Sequence, residues 1–172
     1  SLARKIPGAY YDMGHYLELG YGVKQDSAAA RVYFRRAADL GNPEAQYYVA
    51  DTLRRIKGAG EVAGVMLRCA MEQGHAVAAG EYAVSKHDQQ EFSDAVIAYQ
   101  KATAAGDAPS VQSLEKAFSG PNSDNTHYLA LDKDLERSRR YELIGDFLRK
   151  YEHLGAKVPD IDQIVPLPPA KL

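Results

Sequence analysis

Four positions recur as a set along this chain. Ala30, Phe34, Ala37 and Gly41 are matched by Ala63, Leu67, Ala70 and Gly74, and again by Ala95, Tyr99, Ala102 and Gly106. The 4-3-4 spacing puts the first three members on one helix face and the glycine just past the helix end. Upstream of each set runs a second apolar stripe: Ala9, Met13, Gly14 and Leu17, then Ala45, Val49, Ala50 and Leu53, then Ala78, Tyr82, Ala83 and Lys86. Each stripe predicts the first helix of a pair. The glycines lie 33 and 32 residues apart, the period of a helical repeat whose units stack on one another.

Turn residues punctuate the pairs. Gly20, Tyr21 and Gly22 break the first helix, and Asp26 or Ser27 can cap the second by accepting free amide protons of its first turn. Pro43 fits the start of the next helix. The turns of the second and third units fall near 57–60 and 87–89. A fourth unit departs from the pattern. It predicts a helix from Ala108 to Phe118, a polar loop at 119–125 and a long helix from about Asp132 to His153. The apolar face of that last helix reads Leu135, Tyr141, Ile144, Leu148 and Tyr151. The remainder, with Pro159, Pro166, Pro168 and Pro169, predicts an extended tail held to the last helices by Ile161, Ile164, Val165 and Leu167. The expectation is an all-α, right-handed α-solenoid of about three to four helix-turn-helix repeats. Repeats occupy 8–107, a degenerate fourth repeat and capping helix 108–156, and the extended Pro-rich tail 157–172.

Composition narrows the function classes. With 172 residues, 45% hydrophobic and 26% charged, the chain suits one domain or a short array. A formal net charge of −2 gives no nucleic-acid footprint. No apolar run approaches the ~20 residues that span a bilayer. No signal peptide is visible, and a start at Ser1 is compatible with a removed export signal or lipid anchor. Cys69 is the only cysteine, so an internal disulfide is ruled out; beside Ala70 it reads as a small apolar side chain.

Motifs for chemistry are missing. His15, His75, His87, His127 and His153 form no close metal-binding pair, and Gly58 to Gly60 is too short to cradle a phosphate. No Gly-x-Ser-x-Gly elbow occurs. Arg35 and Arg36, Arg54 and Arg55, and Arg139 and Arg140 read as solvated helix surface or as a basic site for an acidic partner. The expectation is therefore a non-enzyme with no catalytic residue, metal or cofactor. In stacked helix pairs the first helices line the concave wall. Residues rotated off the core stripe would face it: Tyr11, Asp12, His15 and Glu18; Tyr47, Tyr48, Asp51, Arg54 and Arg55; Glu81 and Ser85. Tyrosine and arginine are enriched at binding hot spots.

The segment from Ala9 to Gly41 resembles the Sel-one-like repeat, a relative of the tetratricopeptide repeat. It carries that family's Gly20-x-Gly22-Val23 turn, then Asp26, then Ala30, Tyr33, Phe34, Ala37, Ala38 and Gly41. The second and third units lack the glycine turn. The segments 134–141, 158–162 and 165–169 are similar to the C-terminal part of bacterial Sel-one-like proteins. Those are often exported lipoproteins encoded beside toxic effectors of the type VI secretion system, and the match looks most like immunity proteins of phospholipase D-type lipase effectors. The resemblance implies a protein partner of that kind, an immunity function and a periplasmic location. The alternative is a general repeat adaptor that assembles an envelope or signalling complex, with a cytoplasmic location in keeping with the missing disulfides.

Overall fold

The computed structural model of the chain describes residues 2–120 and 126–172, with side chains from Ile6 onward. The polar loop expected at 119–125 therefore lies mostly outside the described residues. Nine helices occur among those described: α1 (Leu2–Leu19), α2 (Ser27–Asp39), α3 (Pro43–Arg54), α4 (Gly60–Glu72), α5 (Ala76–Asp88), α6 (Phe92–Ala105), α7 (Ala108–Ser119), α8 (Leu135–Lys150) and α9 (Ile161–Ile164). No strand is present among the described residues. Consecutive helices pair as α1 with α2, α3 with α4, α5 with α6 and α7 with α8, and within each of two compact units one pair packs on the next. This is the α-solenoid plan. The units are Ser1–His75 and Ala76–Leu172.

Short polar side chains make the starts of α2, α3, α7 and α8, the first of them predicted. Asp26 accepts from the amides of Ala28 (3.0 Å) and Ala29 (2.9 Å), so it, and not Ser27, caps α2. Asn42 caps α3 through the amide of Ala45 (2.7 Å), with Pro43 at the first helical position. Asp107 and Asp134 do the same for α7 and α8. Hydrogen bonds from the Arg137 backbone and guanidinium hold the Asp134 carboxyl below its usual range. Replacing an N-cap aspartate by alanine costs about 1 kcal/mol. Because the folded value is depressed, this contribution is complete above the unfolded value of about 4 and is lost as pH falls through the folded one. Asp134→Ala is thus expected to unfold at lower temperature than the wild type at neutral pH, with the gap narrowing in acid. Melting curves across pH check this.

The repeat alanines form the seams. In the N-terminal unit Ala37, Ala38 and Ala45 make a fully buried contact between successive pairs, covered by Tyr10, Tyr11, Val49 and Met66. The C-terminal unit buries Ala78, Ala83, Ala95, Ala98 and Ala102 in the same way. Larger groups fill the space under α8: Val111, Leu114, Phe118, Tyr141 and Leu148. Phe118 and Tyr141 are stacked, with centroids 5.8 Å apart.

Three expectations need correction. Ala9 is exposed, although Ala45 and Ala78 at the same repeat position are fully buried; among the described residues the main contact of α1 is with α2, which leaves this side of it uncovered. Leu135 is 61% exposed. The inward face of α8 is Arg137, Ser138, Tyr141, Ile144, Gly145 and Leu148, and a residue two places before Arg137 is turned about 200° from it. The tail, expected to be extended, forms the helical turn α9 before returning to irregular backbone. Its Ile161 and Val165 are buried as expected, while Ile164 is 37% exposed.

Candidate functional site

The N-terminal unit gathers most of the predicted binding residues on α1 and α3. Phe34, from α2, is completely buried and forms the floor beneath them. The Tyr48 ring lies over Phe34 at a centroid distance of 4.0 Å, and His15 meets Phe34 edge-on at 4.9 Å. Tyr11 in turn sets its edge against His15 at 4.6 Å. The rings come this close because α1 carries glycine at position 14. A Cβ there would stand 2.7 Å from two atoms of the Phe34 ring, inside van der Waals contact. Overpacking of this kind costs about 1–3 kcal/mol, while alanine in a helix regains about 1. Gly14→Ala is expected to be destabilising by about 1 kcal/mol despite its better helix propensity, measurable by urea unfolding.

Acidic groups are tied into this cluster. The Tyr48 hydroxyl donates to Glu18 Oε1, and Glu18 Oε2 lies 3.4 Å from His15 Nδ1. Burial, then the hydrogen bond to Glu18, pushes the Tyr48 hydroxyl up to about 12. Tyr11 is raised as well, by burial first and then by the fields of Glu44, Asp12 and Glu18. Both phenols therefore stay protonated at neutral pH. Tyr48→Phe removes a donor to a charged acceptor, and the expected loss is about 1–2 kcal/mol at this half-buried position. Thermal unfolding of Tyr48→Phe beside Glu18→Gln measures it, and the double variant should be no worse than the sum.

Tyr47, Asp51 and Asp12, also predicted, lie on the same two helices. Asp51 accepts from Arg54 (2.7 Å) and Arg55 (2.9 Å), chiefly the first, and its carboxyl is held low. Tyr47 turns from the Phe34 cluster to face His75 at 4.8 Å, and His75 Nε2 sits 3.1 Å from Glu44. Asp12 is exposed. Glu81 and Ser85 lie on α5 in the other unit, both half-buried; Ser85 accepts from Gln89 at 3.0 Å. Glu44, His75 and the Phe34 floor were not among the predicted binding residues. Phe34 is legible as a repeat core position, whereas Glu44 and His75 meet across 31 residues without any motif.

No group of three His, Cys, Asp or Glu able to hold a metal occurs among the described residues. No helix among them is long and apolar enough to cross a membrane. Cys69 is half-buried, with no disulfide partner. The half-buried tyrosines, paired carboxylates and arginines present a surface suited to another protein.

Known proteins share this architecture. The immunity protein PA5088 of Pseudomonas aeruginosa superposes with a TM-score of 0.70 at 22% identity, over 96% of this chain and 63% of its own. A Sel1 repeat protein of Oxalobacter formigenes gives 0.66 at 20% identity, over 94% and 67%. The immunity protein Pa5087 of Pseudomonas aeruginosa gives 0.65 at 17% identity, over 95% and 75%. The chain has the Sel1-repeat fold. Residues 110–172 match a family model described as a domain of unknown function (DUF6396). No curated protein sequence matches the chain. The Sel1-repeat architecture thus accounts for nearly the whole chain, and the family match begins in α7 and runs through α8 and the tail.

Proposed function

We propose that this protein is an immunity protein that binds and neutralises a secreted toxic effector, a phospholipase D-type lipase of the type VI secretion system. The observation that carries the reading is the shared fold with two immunity proteins over nearly the full chain. The tyrosine-rich, charged face on α1 and α3 supplies a binding surface, with Tyr11, Asp12, His15, Glu18, Tyr47, Tyr48, Asp51, Arg54 and Arg55 in contact with the effector. Glu81 and Ser85 of α5 are assigned the same role, within an array of repeats over 8–107 capped by 108–156. The protein acts stoichiometrically and without turnover. Its place of action is the periplasm, where the effector arrives.

Expression of the adjacent effector in the periplasm of a sensitive bacterium tests this. Cells are expected to survive only when this protein is present in the same compartment, and the two should co-elute as a one-to-one complex. Continued killing despite a soluble, folded protein would overturn the reading. The likeness to a Sel1 repeat protein that is not called an immunity protein favours a second reading, an adaptor assembling an envelope complex. Co-purification of several non-toxic envelope proteins, with no protection, is the outcome that would support it.

A further inference from the structure

The face on α1 and α3 carries a definite charge. Three carboxylates, Asp12, Glu18 and Glu44, reach the Tyr11 hydroxyl with their fields. Glu18 and Glu44 are each set against a histidine, His15 and His75. Asp12 has no ion pair among the described residues. Asp51 nearby is neutralised by Arg54 and Arg55. Arg31 of α2 offsets part of the negative field at Tyr48. The outer helices of the same unit differ: α2 and α4 expose Arg31, Arg35, Arg36 and Arg68 beside Asp39, Glu61 and Glu72. Among the described side chains the tyrosine-bearing face thus carries a negative excess, offset in part by Arg31.

Resting on the binding role assigned above, we propose that this face receives a cationic side chain, lysine or arginine, projecting from the partner protein. Two independent features select a cation. The half-buried rings of Tyr11 and Tyr48 carry the negative π potential that attracts ammonium and guanidinium groups. Glu18 is already oriented by Tyr48 and His15, so it meets an incoming donor without further ordering. An acidic or purely apolar segment gains neither and would confront three carboxylates. A guanidinium fits best, since it stacks on a ring and donates to a carboxylate at once.

The test uses the full chain and the peptide acetyl-Gly-Gly-Arg-Gly-Gly-amide, with its lysine and citrulline counterparts, titrated by amide chemical shifts. The arginine peptide is expected to shift signals of α1 and α3, at about tenfold lower concentration than the uncharged citrulline peptide. Asp12→Asn combined with Glu44→Gln should cut that preference by about threefold, Glu18 being left in place, with the retained spread of amide signals showing that the fold is kept. Equal shifts from arginine and citrulline, no shifts at all, or shifts confined to α2 and α4 would overturn the proposal. Protection of cells against the effector is a separate readout. If the arginine peptide docks and protection fails, the immunity reading falls and this one stands. If protection persists in the double variant with undiminished effector affinity, this one falls alone.

Discussion

Gln100→Leu is expected to lower the stability of the C-terminal unit by about 2–4 kcal/mol, near the top of the range for a single substitution. Gln100 is 4% exposed and sits where α6, α8 and the tail meet. Its amide nitrogen donates to the Val165 carbonyl (3.0 Å) and to Asp162 (3.0 Å), and its amide oxygen accepts from the Tyr141 hydroxyl (2.7 Å). Leucine has similar volume, so packing changes little. What it leaves behind is a buried hydroxyl and a buried carbonyl without partners, each costing about 1–3 kcal/mol, while the exposed Asp162 returns to water. Tyr141→Phe leaves Gln100 its two tail contacts and orphans only its amide oxygen, so its cost should be smaller, about 1–2 kcal/mol. In Gln100→Leu with Tyr141→Phe the orphaned hydroxyl is gone, and the double variant should be more stable than the sum of the two predicts. For a chain of this length about 2–4 °C of melting temperature accompanies each kcal/mol, so a double-mutant cycle by calorimetry resolves the coupling. Additive costs would mean that the Gln100 and Tyr141 side chains do not share this contact in solution.

The seams of the fold were readable because they repeat. Ala37, Ala70 and Ala102 are each fully buried, as their shared position requires, and Gly41, Gly74 and Gly106 each end a helix with positive φ. The cap of α2 was readable from residue type, as Asp26 or Ser27, and Asp26 makes it. The tail was readable only in part: Ile161 and Val165 pack as their type requires, but its polar anchors look like surface residues. Arg137 belongs to a strongly charged run, yet it is 7% exposed. Its guanidinium donates to Asp134 and to the carbonyls of Pro166 (3.1 Å) and Ala170, and Arg140 donates to the Ile164 carbonyl (2.6 Å). Backbone carbonyls have no sequence signature, so an arginine that binds them cannot be told from a solvated one. The candidate site divides in the same manner. Tyr11, His15, Glu18 and Tyr48 were grouped by helical position, and they do meet. Tyr47 was placed with them as a further residue off the core stripe; it lies about 100° around α3 from Tyr48, and its ring packs against His75.

Gly106→Ala is expected to cost about 3–5 kcal/mol, whereas Gly41→Ala at the same repeat position should cost about 1–2. Both glycines hold positive φ, 104° and 86°, so both substitutions carry the steric cost of a Cβ in the left-handed region. Their surroundings differ. A Cβ on Gly41 would meet nothing within 4 Å, but on Gly106 it would lie 2.5 Å from the backbone oxygen of Ala156. A side chain in its place would rotate aside; a carbonyl cannot move without the segment that bears it. That segment is fastened close by, through the Val158 amide to the Ala104 carbonyl at 2.9 Å, and Val158 itself is 6% exposed. Relief of the clash would therefore lift the start of the tail off the end of α6 and loosen the contacts of Ile161 and Val165 behind it. Chemical denaturation should place the unfolding midpoint of Gly106→Ala well below that of Gly41→Ala, and hydrogen exchange should show the Val158 and Val165 amides losing protection only in the former. Equal midpoints would show that the helix end tolerates the extra methyl, and that α6 and the tail do not approach this closely in solution.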